Sequence, residues 1–434
     1  MKVPILKIIE GIENAKLTIS KYNGLSNNLN SNQNLEFEKV VSQIIERVKE
    51  DGDSAVKHYA QTLDNVTLDQ IELDYKIINH AVNKVPKELL EALLKASERI
   101  TAFHKESMPQ GWSNTTAGYG SIVRAVEKAG LYIPGGTALY PSTVLMSAIP
   151  AKIAGVSEVV ICTPTKTGLP HEYILAAAKI ANVDRIFTIG GAQAIAAMAY
   201  GTQTVPKVDL ICGPGNIFVT LAKKQVYGDV GIDGIYGPTE TMIVADETAN
   251  PELCIYDLMA QAEHDELSIP TLVTTSQQLA EFIHKSWEKL AESMERKSII
   301  LSSMNKRGSI VIVSNLNQAI ELVNIIAPEH VSLVTKNPRK LIPDIRNAGM
   351  VFVGEHSHEV LGDYAAGPSH VMPTSNTARY SSGLGVQSFI KHIPVVDFGY
   401  ETADPLNNVA AMIARAEGFT AHAKAAEIRR KLNK

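Results

Sequence analysis

The chain has 434 residues, enough for two or three domains at about 150 residues each. The 46 acidic residues outnumber the 41 Lys and Arg residues, and the formal net charge of -5 does not favour a nucleic-acid or anionic-membrane partner. Hydrophobic residues make up 45% of the chain and charged residues 20%, which excludes wholesale disorder. Because no apolar run reaches the ~18 residues that span a bilayer, we expect no membrane partner.

The cysteines predict a reducing compartment. Cys162, Cys212 and Cys254 are odd in number, lie far apart and form no CxxC pair. Each has apolar neighbours, so we expect small buried core residues that form no disulfide and bind no metal. The N-terminus carries acidic residues early and lacks an apolar run of signal-peptide length. We therefore expect a cytoplasmic protein.

The first hundred residues are predicted to be mostly helical. An Asn- and Ser-rich stretch, 23–34, is typical of a loop or connector. After it, apolar residues recur at helical spacing from Phe37 to Val48, and Asp51-Gly52-Asp53 ends that helix. Asp53 is predicted to cap a second helix, and a third helix follows Pro86.

From about residue 129, short β-branched runs alternate with Ala-rich helical stretches. Four strand–helix units follow in roughly 100 residues, and a second series of strands begins near residue 240. This pattern predicts two parallel sheets covered by helices. We expect the carboxyl-terminal edges of the two sheets to form a cleft, where ligands usually bind. The tail after Val395 is too short to be a domain and is expected to pack elsewhere or on a partner subunit.

Glycine-rich turns follow three strands of the first series: Pro134-Gly135-Gly136, Gly190-Gly191 and Gly213-Pro214-Gly215-Asn216. Each alone is explained as a tight strand-to-helix turn, and none is the G-x-G-x-x-G fingerprint. Three on one ligand edge favour a bound phosphate or dinucleotide. Gln193 and Asn216 stand beside these turns, where they can hydrogen-bond a cofactor.

Candidate metal and proton-transfer residues lie in the second half of the chain. They are Gln261 and His264 on one helix face, the Glu329-His330 pair, Asp363 and His370 in a Gly/Pro-rich loop, and Glu417 and His422 in the tail. Each alone also fits a purely structural role. Together, Gln261, His264, Asp363 and His422 offer N/O ligands suited to zinc, while Glu329-His330 suits proton transfer. Spacing does not show whether they converge.

Eight motifs in order carry a family resemblance: GLYIPGG, GGAQAIAA, GPGN, QAEHD, APEH, GDYAAGPSHVMPT, ARYSSGL and EGFTAH. From about Val40 to the C-terminus the chain resembles the histidinol dehydrogenase family. The resemblance implies two incomplete Rossmann-like parallel-sheet α/β domains and a homodimer in which the tail crosses to the other subunit. The implied divisions are an N-terminal segment, 1–34; a metal- and base-bearing domain, 35–128 plus 240–385; an NAD-binding domain, 129–239; and a tail on the partner, 386–434.

The resemblance also implies an activity: oxidation of L-histidinol to L-histidine through the aldehyde, with two NAD molecules and one zinc ion in a shared active site. The implied zinc ligands are Gln261, His264, Asp363 and His422, the last from the partner subunit. Glu329 and His330 match the proton acceptors. Tyr132, Gln193 and Asn216 match the NAD-contacting positions. The implied substrate contacts are Thr239, His330, His370 and Glu417 together with the zinc ligands.

This chain departs from the family pattern in places. Thr239 stands where the family usually has serine, Leu63-Asp64 replaces Phe-Asp, FIKHIPVV replaces a more common FLKR pattern, and the Asn-rich stretch replaces a Leu-Arg motif. None affects the implied zinc ligands or bases. Two alternatives stay open: a relative that oxidises a different alcohol, such as a sulfonated diol, and a two-lobed ligand- or metal-binding protein without catalysis.

Overall fold

The computed structural model describes residues 6–21, 31–135 and 138–430, and they divide into two compact units. The first unit comprises Met1–Ser107 and Val126–Phe389, and the second comprises Met108–Ala125 and Ile390–Lys434. The Asn-rich stretch is outside the described residues up to Asn30. Its last four residues, predicted as loop, begin a helix instead. Gly136 of the first glycine turn also lies outside the described residues.

The helices of the described residues are α1 (Ile12–Ile19), α2 (Ser31–Asp51), α3 (Asp53–Asp64), α4 (Tyr75–Val82), α5 (Lys87–Glu106), α6 (Pro141–Ala154), α7 (Glu172–Ile180), α8 (Gly191–Tyr200), α9 (Ile217–Val226), α10 (Pro251–Ala262), α11 (Gln277–Ala291), α12 (Lys297–Lys306), α13 (Leu316–Ile326), α14 (Glu359–Tyr364), α15 (Tyr400–Ala416) and α16 (Thr420–Arg429). The strands are β1 (Lys7–Glu10), β2 (Trp112–Asn114), β3 (Tyr119–Ala125), β4 (Lys128–Tyr132), β5 (Glu158–Cys162), β6 (Arg185–Phe187), β7 (Leu210–Cys212), β8 (Gly231–Ile232), β9 (Glu240–Ala245), β10 (Ile269–Thr274), β11 (Ser309–Ile312), β12 (His330–Val334), β13 (Met350–Val353) and β14 (Ile390–Val396).

The two predicted parallel sheets are present. The first has strand order β6-β5-β4-β7-β8, and the second has β1-β11-β10-β9-β12-β13. Every neighbouring pair in both sheets is parallel. Apart from β1, both sheets have the doubly wound order: successive strands are added on one side up to β6 and β11, and then on the other side, so the strand order reverses between β4 and β7 and between β9 and β12. The α/β fold class predicted from the strand–helix alternation is therefore confirmed.

Edge strand β1 joins the second sheet through Lys7–Glu10, paired in parallel with Ser309–Ile312 of β11. The sequence pattern does not predict this strand, because four residues near a terminus give little periodicity. Its apolar side chains add to the core of that sheet, where Ile9 packs with α1 and α13 residues. The segment predicted as a separate N-terminal piece therefore contributes a strand to a sheet formed mostly by residues beyond 240.

Helices α2 and α3 share one apolar core with the first sheet. Val41, Val48 and Val56 are fully buried in the same cluster as Val160 of β5 and Ile195 of α8. The predicted domain division groups residues 35–128 with the second sheet. That division stays a prediction, although α2 and α3 pack against the first sheet. One local prediction was wrong: Asp53 does not cap α3. Its carboxylate instead accepts hydrogen bonds from the Thr202–Thr204 loop.

The second unit has its own sheet and helices. Its antiparallel sheet has strand order β14-β3-β2, and its two helices, α15 and α16, pack through Ala411, Ala414 and Ala423. An ion pair from Arg415 to Glu427, at 2.5 Å, links the two helices. The sequence pattern predicted neither this sheet nor the length of α15.

The three cysteines are free and buried, as their apolar neighbours predicted. Burial raises the pKa of the Cys254 thiol to about 12, so this sulfur is an inert core atom at neutral pH. Within the described ranges, no helix combines the length and the apolar character needed to cross a membrane.

Candidate active site

The Glu329-His330 pair lies at the start of β12, a strand between β9 and β13. Helix α13 ends at Ala327, which adopts the left-handed conformation at φ 51°, and Pro328 then directs the chain into the sheet. Both Glu329 and His330 are buried. Because strands β9 and β12 run in parallel, the start of β12 lies beside Glu240 and Thr241 at the start of β9.

Hydrogen bonding fixes the tautomer of His330. Its Nδ1 lies 3.2 Å from the backbone oxygen of Glu240. A carbonyl oxygen only accepts, so Nδ1 carries the proton and the neutral ring has its lone pair on Nε2. This Nε2 is buried, has no hydrogen-bond partner among the described residues, and lies 3.6 Å from Oδ1 of Asp363. In its neutral form, the ring therefore directs its proton-accepting nitrogen at Asp363.

Burial and neighbouring carboxylates shift the pKa values of this pair. Burial raises the pKa of Glu329 to about 7, although the adjacent His330 lowers it. Burial lowers the pKa of His330, but the carboxylates of Glu329 and Asp363 outweigh that effect and raise it to about 10. A cation bound to Asp363 would neutralise one of those charges and lower the pKa of His330 again. The pKa of each group thus depends on the charges around it, and that of Glu329 lies near neutral pH.

Four of the predicted residues meet at Asp363, near the end of α14. Nε2 of Gln261 donates to Oδ2 of Asp363 at 3.2 Å, and Nδ1 of His370 lies 2.7 Å from its backbone oxygen. Burial lowers the pKa of His264, an effect that the charge of Asp363 partly offsets. Helix α10 places Gln261 in its last turn and His264 just beyond it.

The donor set at Asp363 fits a divalent metal incompletely. Among the described residues, no three His, Cys, Asp or Glu side chains form a group that could hold a metal ion. Oε1 of Gln261, however, is buried and lacks a hydrogen-bond partner in the described part of the chain. An unpartnered amide oxygen beside a carboxylate and an imidazole is suited to a cation. The first unit thus offers an N/O donor set that needs a further ligand.

Glu417 and His422 lie in the second unit. Glu417 ends α15, and His422 lies in the first turn of α16 with its ring 5.3 Å from that of Phe419. Both side chains are exposed. The structure thus brings Gln261, His264 and Asp363 together in one unit and places the fourth predicted zinc ligand in the other.

Three predicted nucleotide contacts lie at the carboxyl-terminal edge of the first sheet. Tyr132 ends β4, Gln193 lies in the first turn of α8, and Asn216 is the N-cap of α9. The hydroxyl of Tyr132 accepts from the backbone N–H of Gly191 at 3.1 Å. The strand order of the sheet reverses between β4 and β7. These residues therefore surround the position where nucleotides bind in such sheets.

The side chain of Gln193 fits a ligand role. It is 1% exposed, and its Oε1 has no hydrogen-bond partner in the described ranges. Its Nε2 donates to Oδ2 of Asp64 at 3.1 Å, which fixes the orientation of the amide. Asn216 uses Oδ1 to accept from Phe218 and Val219, so only its amide nitrogen remains for a ligand. Asp64 is not among the site residues predicted from the sequence, where it appears only in the Leu63-Asp64 departure from the family pattern.

One expectation about the second sheet was wrong. Glu329, His330 and their neighbours lie at the amino-terminal edge of the second sheet, where β9 and β12 begin, and not at its carboxyl-terminal edge. The reason is that the functional side chains come from the turns entering these strands and from the ends of α10 and α14. Thr239 lies in the same region, and its backbone oxygen accepts from Ile269 at the start of β10.

Sequence reasoning missed two buried acids beside His330. Glu240 is 3% exposed, and burial raises its pKa to about 8. Glu359 is fully buried, accepts from the hydroxyls of Thr241 and Ser332, and has its pKa raised by burial to about 7. The available signals were weak: Glu240 follows Thr239 directly, and Glu359 precedes Asp363 by one helical turn.

Comparisons with known proteins point to one family. The family model described as histidinol dehydrogenase matches residues 27–430. The chain is 45% identical to a histidinol dehydrogenase from Dehalococcoides mccartyi (strain CBDB1), covering 97% of this chain and 99% of the relative. It is 44% identical to one from Clostridium acetobutylicum, with the same coverage. A crystal structure of the enzyme from Elizabethkingia anophelis superposes with a TM-score of 0.92 at 33% identity and covers 99% of each chain.

Proposed function

The chain belongs to the histidinol dehydrogenase family, and from this premise we propose that it oxidises L-histidinol to L-histidine through the aldehyde, with two NAD molecules and one zinc ion. The observation that carries the proposal is the arrangement at Asp363. An imidazole with a fixed tautomer presents a free Nε2 to a carboxylate, whose other oxygen is bound by Gln261. A base beside a donor set for a cation is what metal-assisted alcohol oxidation requires.

We propose that NAD binds at the carboxyl-terminal edge of the first sheet, held by Tyr132, Gln193 and Asn216. The unpartnered Oε1 of Gln193 supports this assignment, as does the close packing of the glycine turns. A Cβ at Gly190 would lie 2.5 Å from Pro164, and one at Gly215 would clash with the side chain of Val219. When bound, oxidised nicotinamide accepts the hydride that leaves the substrate carbon.

Gln261, His264 and Asp363 are the zinc ligands that the first unit would provide, and His422 of the partner subunit would complete the set. The buried, unpartnered Oε1 of Gln261 supports this assignment. Bound zinc would orient the substrate through its imidazole and amino nitrogens and offset the negative charge of Asp363. Proton transfer would then be the task of the protein bases.

The proton steps follow from the buried pair. Neutral His330 takes the alcohol O–H proton on Nε2 while a hydride leaves the carbon that carries this hydroxyl, which gives the aldehyde. Glu329 takes a proton from water as the water oxygen bonds to the aldehyde carbon, and protonated His330 gives its proton to the former carbonyl oxygen, which yields the hydrate and restores neutral His330. Loss of a second hydride from this hydrate, with its hydroxyl proton again going to His330, gives the carboxylic acid. Its proton then leaves to solvent.

Substrate contacts and assembly complete the proposal. Thr239 and His370 lie in the first unit, where Nε2 of His370 is 3.0 Å from the hydroxyl of Thr143. Glu417 carries a carboxylate that suits an ammonium or imidazole group. Because Glu417 and His422 are exposed in the second unit, we propose a homodimer that places these side chains in the partner's active site. The cytoplasmic location stays a prediction from cysteine use.

The test is NADH formation on adding L-histidinol to zinc-loaded protein, with and without a chelator. The expected result is two NADH per histidinol, abolished by the chelator. Absence of turnover by folded, zinc-loaded protein that still binds NAD would favour a different alcohol substrate. Binding of zinc without NAD binding or turnover with any alcohol would favour a non-catalytic binding protein.

A further inference from the structure

A fully buried ion pair lies behind the glycine turn that follows β7. The side chains of Lys223, on α9, and Asp233 are 2% and 1% exposed, and Nζ and Oδ1 are 2.5 Å apart. Neither residue belongs to the predicted site. Burying two charges costs several kcal/mol per ion, and such pairs often add nothing to stability compared with apolar side chains. A reason other than stability is therefore needed for this pair.

The pair holds both polar backbone groups of one residue, Gly213. The backbone N–H of Gly213 donates to Oδ2 of Asp233 at 2.7 Å, and its carbonyl oxygen accepts from Nζ of Lys223 at 3.0 Å. Gly213 has φ 114°, and a Cβ there would clash with the backbone oxygen of Tyr132. The turn therefore has a backbone conformation that only glycine tolerates, and the ion pair fixes its peptide groups from behind.

The same pair ties the turn to the helix that it starts. Lys223 lies about two turns along α9 from the N-cap Asn216, and its ammonium reaches back to the residue three positions before that cap. The ammonium also lies 4.7 Å from the centre of the Tyr236 ring, a cation–π contact. One buried cation on the last turn of α9 thus holds the turn that precedes the helix.

We propose that Lys223 and Asp233 are positioning residues for NAD: they hold the Gly213–Asn216 turn and the start of α9 in the arrangement that receives the dinucleotide. This inference rests on the proposed function, because it assumes that NAD binds at this edge of the sheet. Neither side chain needs to contact NAD. Their effect is to keep the turn and the Asn216 amide in place before the cofactor arrives.

The test is the double variant K223M/D233N, which removes both charges and so avoids leaving one buried and alone. The amide oxygen that replaces the carboxylate of Asp233 can still accept from Gly213, but the carbonyl of Gly213 loses its donor. By calorimetry we expect the Kd for NAD to rise about tenfold or more, with kcat at saturating NAD within about threefold of the wild type. The KM for histidinol should not change.

The matched control is R185M/E72Q, which removes a bidentate ion pair at the opposite edge of the same sheet. It should lower the melting temperature without changing the Kd for NAD. A folded K223M/D233N protein with wild-type NAD affinity would overturn the inference. If the double variant does not fold, D233N alone decides by the same measurement: its single amide oxygen can accept from Gly213 or from Lys223 but does not replace both carboxylate oxygens, so the Kd for NAD should again rise. Wild-type protein that fails to bind NAD would instead overturn the proposed function.

Discussion

Around His330, buried acids outnumber the basic groups that could compensate them. Glu240, Glu329 and Glu359 are all buried, and one oxygen each of Glu240 and Glu359 lacks a hydrogen-bond partner among the described residues. A buried ionised carboxylate is costly, so such groups retain a proton to a higher pH than usual. The site therefore holds carboxylic acids that titrate near neutral pH, with His330 at their centre.

The substitution Glu240→Gln tests whether one of these buried carboxylic acids keeps its proton up to neutral pH. The pKa of Glu240 is raised from 4.5 to about 8, so between these values the folded state keeps a proton that the unfolded state has lost. Stability from this group consequently falls as pH rises through that window, by about 1.4 kcal/mol per pH unit at most. The free energy of unfolding of the variant, relative to the wild type, should thus increase between pH 5 and pH 8.5.

The measurement is urea unfolding of both proteins at the two pH values. Oε1 of Glu240 accepts from the backbone of Ser375 at 2.9 Å, and glutamine can keep that bond. A difference between variant and wild type that does not change with pH would show that Glu240 is ionised throughout. The surface variant Glu281→Gln is the control, since that carboxylate is exposed.

His330→Asn should slow alcohol oxidation by more than about tenfold, because asparagine has no group that can accept the alcohol proton. Zinc content should stay at the wild-type level, since His330 is not a proposed ligand. The measurements are the initial rate of NADH formation from histidinol and metal analysis of the purified protein. Wild-type activity in this variant would rule out His330 as the base.

The matched variant for that experiment is Glu329→Gln, which changes the other member of the buried pair. We expect it to slow the oxidation of added aldehyde more than that of the alcohol, because activation of water is needed only after the aldehyde forms. Equal effects on both oxidations in single-turnover experiments would contradict the assignment of Glu329 to the water.

At the scale of elements, α10 carries one proposed zinc ligand, Gln261, in its final turn, and the second, His264, lies two residues beyond its end. Its first turn is fixed by Asn250, whose Oδ1 accepts from the backbone of Glu252 and Leu253. The proposed ligands are thus more than two helical turns from the cap. Loss of the cap is therefore expected to lower the stability of the protein without changing the position of these ligands.

Asn250→Ala should therefore lower the free energy of unfolding by about 1 kcal/mol, because two backbone N–H groups lose their acceptor. Asn250→Asp keeps the acceptor and should stay near the wild type. Chemical unfolding gives the stabilities, and zinc affinity should be the same in all three proteins. A tenfold weaker zinc affinity in the alanine variant would show that the start of α10 is coupled to its ligands.

At the scale of the whole molecule, the second unit exposes one face of α15 that is typical of a helix covered by another chain. Leu406, Val409 and Ile413 follow the helical spacing i, i+3, i+7 and are 45%, 51% and 54% exposed. The opposite face is already packed on α16 through Ala411 and Ala414. An apolar stripe of this kind marks an interaction surface, and we assign it to the proposed homodimer.

Val409→Asp should hence convert the dimer to a monomer, because it places a charge in an apolar interface. Val409→Ile keeps the surface apolar and should stay dimeric. Light scattering after size-exclusion chromatography measures the mass of each. A monomeric wild-type protein would contradict the homodimer, and a dimeric Val409→Asp variant would place the interface elsewhere.

His422→Ala tests whether the tail contributes to the metal site. Of the four proposed zinc ligands, Gln261, His264 and Asp363 belong to the first unit, so loss of the fourth should lower zinc content or affinity. Metal analysis after dialysis against a weak chelator gives the result. Unchanged zinc affinity would exclude His422 as a ligand, whichever subunit carries it.

By itself the sequence determined the local features. Alternation of β-branched and Ala-rich runs predicted both parallel sheets, and their strands lie where the pattern indicated. Adjacent residues such as Glu329-His330, and residues one helical turn apart such as Gln261 and His264, were recognisable because their proximity is set by backbone geometry alone. Short or terminal elements, such as β1 and the antiparallel sheet of the second unit, gave too little periodicity.

Tertiary structure decided what lies close together over long separations in the chain. It brought Asp363 beside Gln261 and His330, set the His330 tautomer through the backbone of Glu240, and placed this cluster at the amino-terminal edge of its sheet. It also buried Lys223 and Asp233 against Gly213. Periodicity shows which face of an element is buried but not which element covers it, and pKa shifts depend on that covering element.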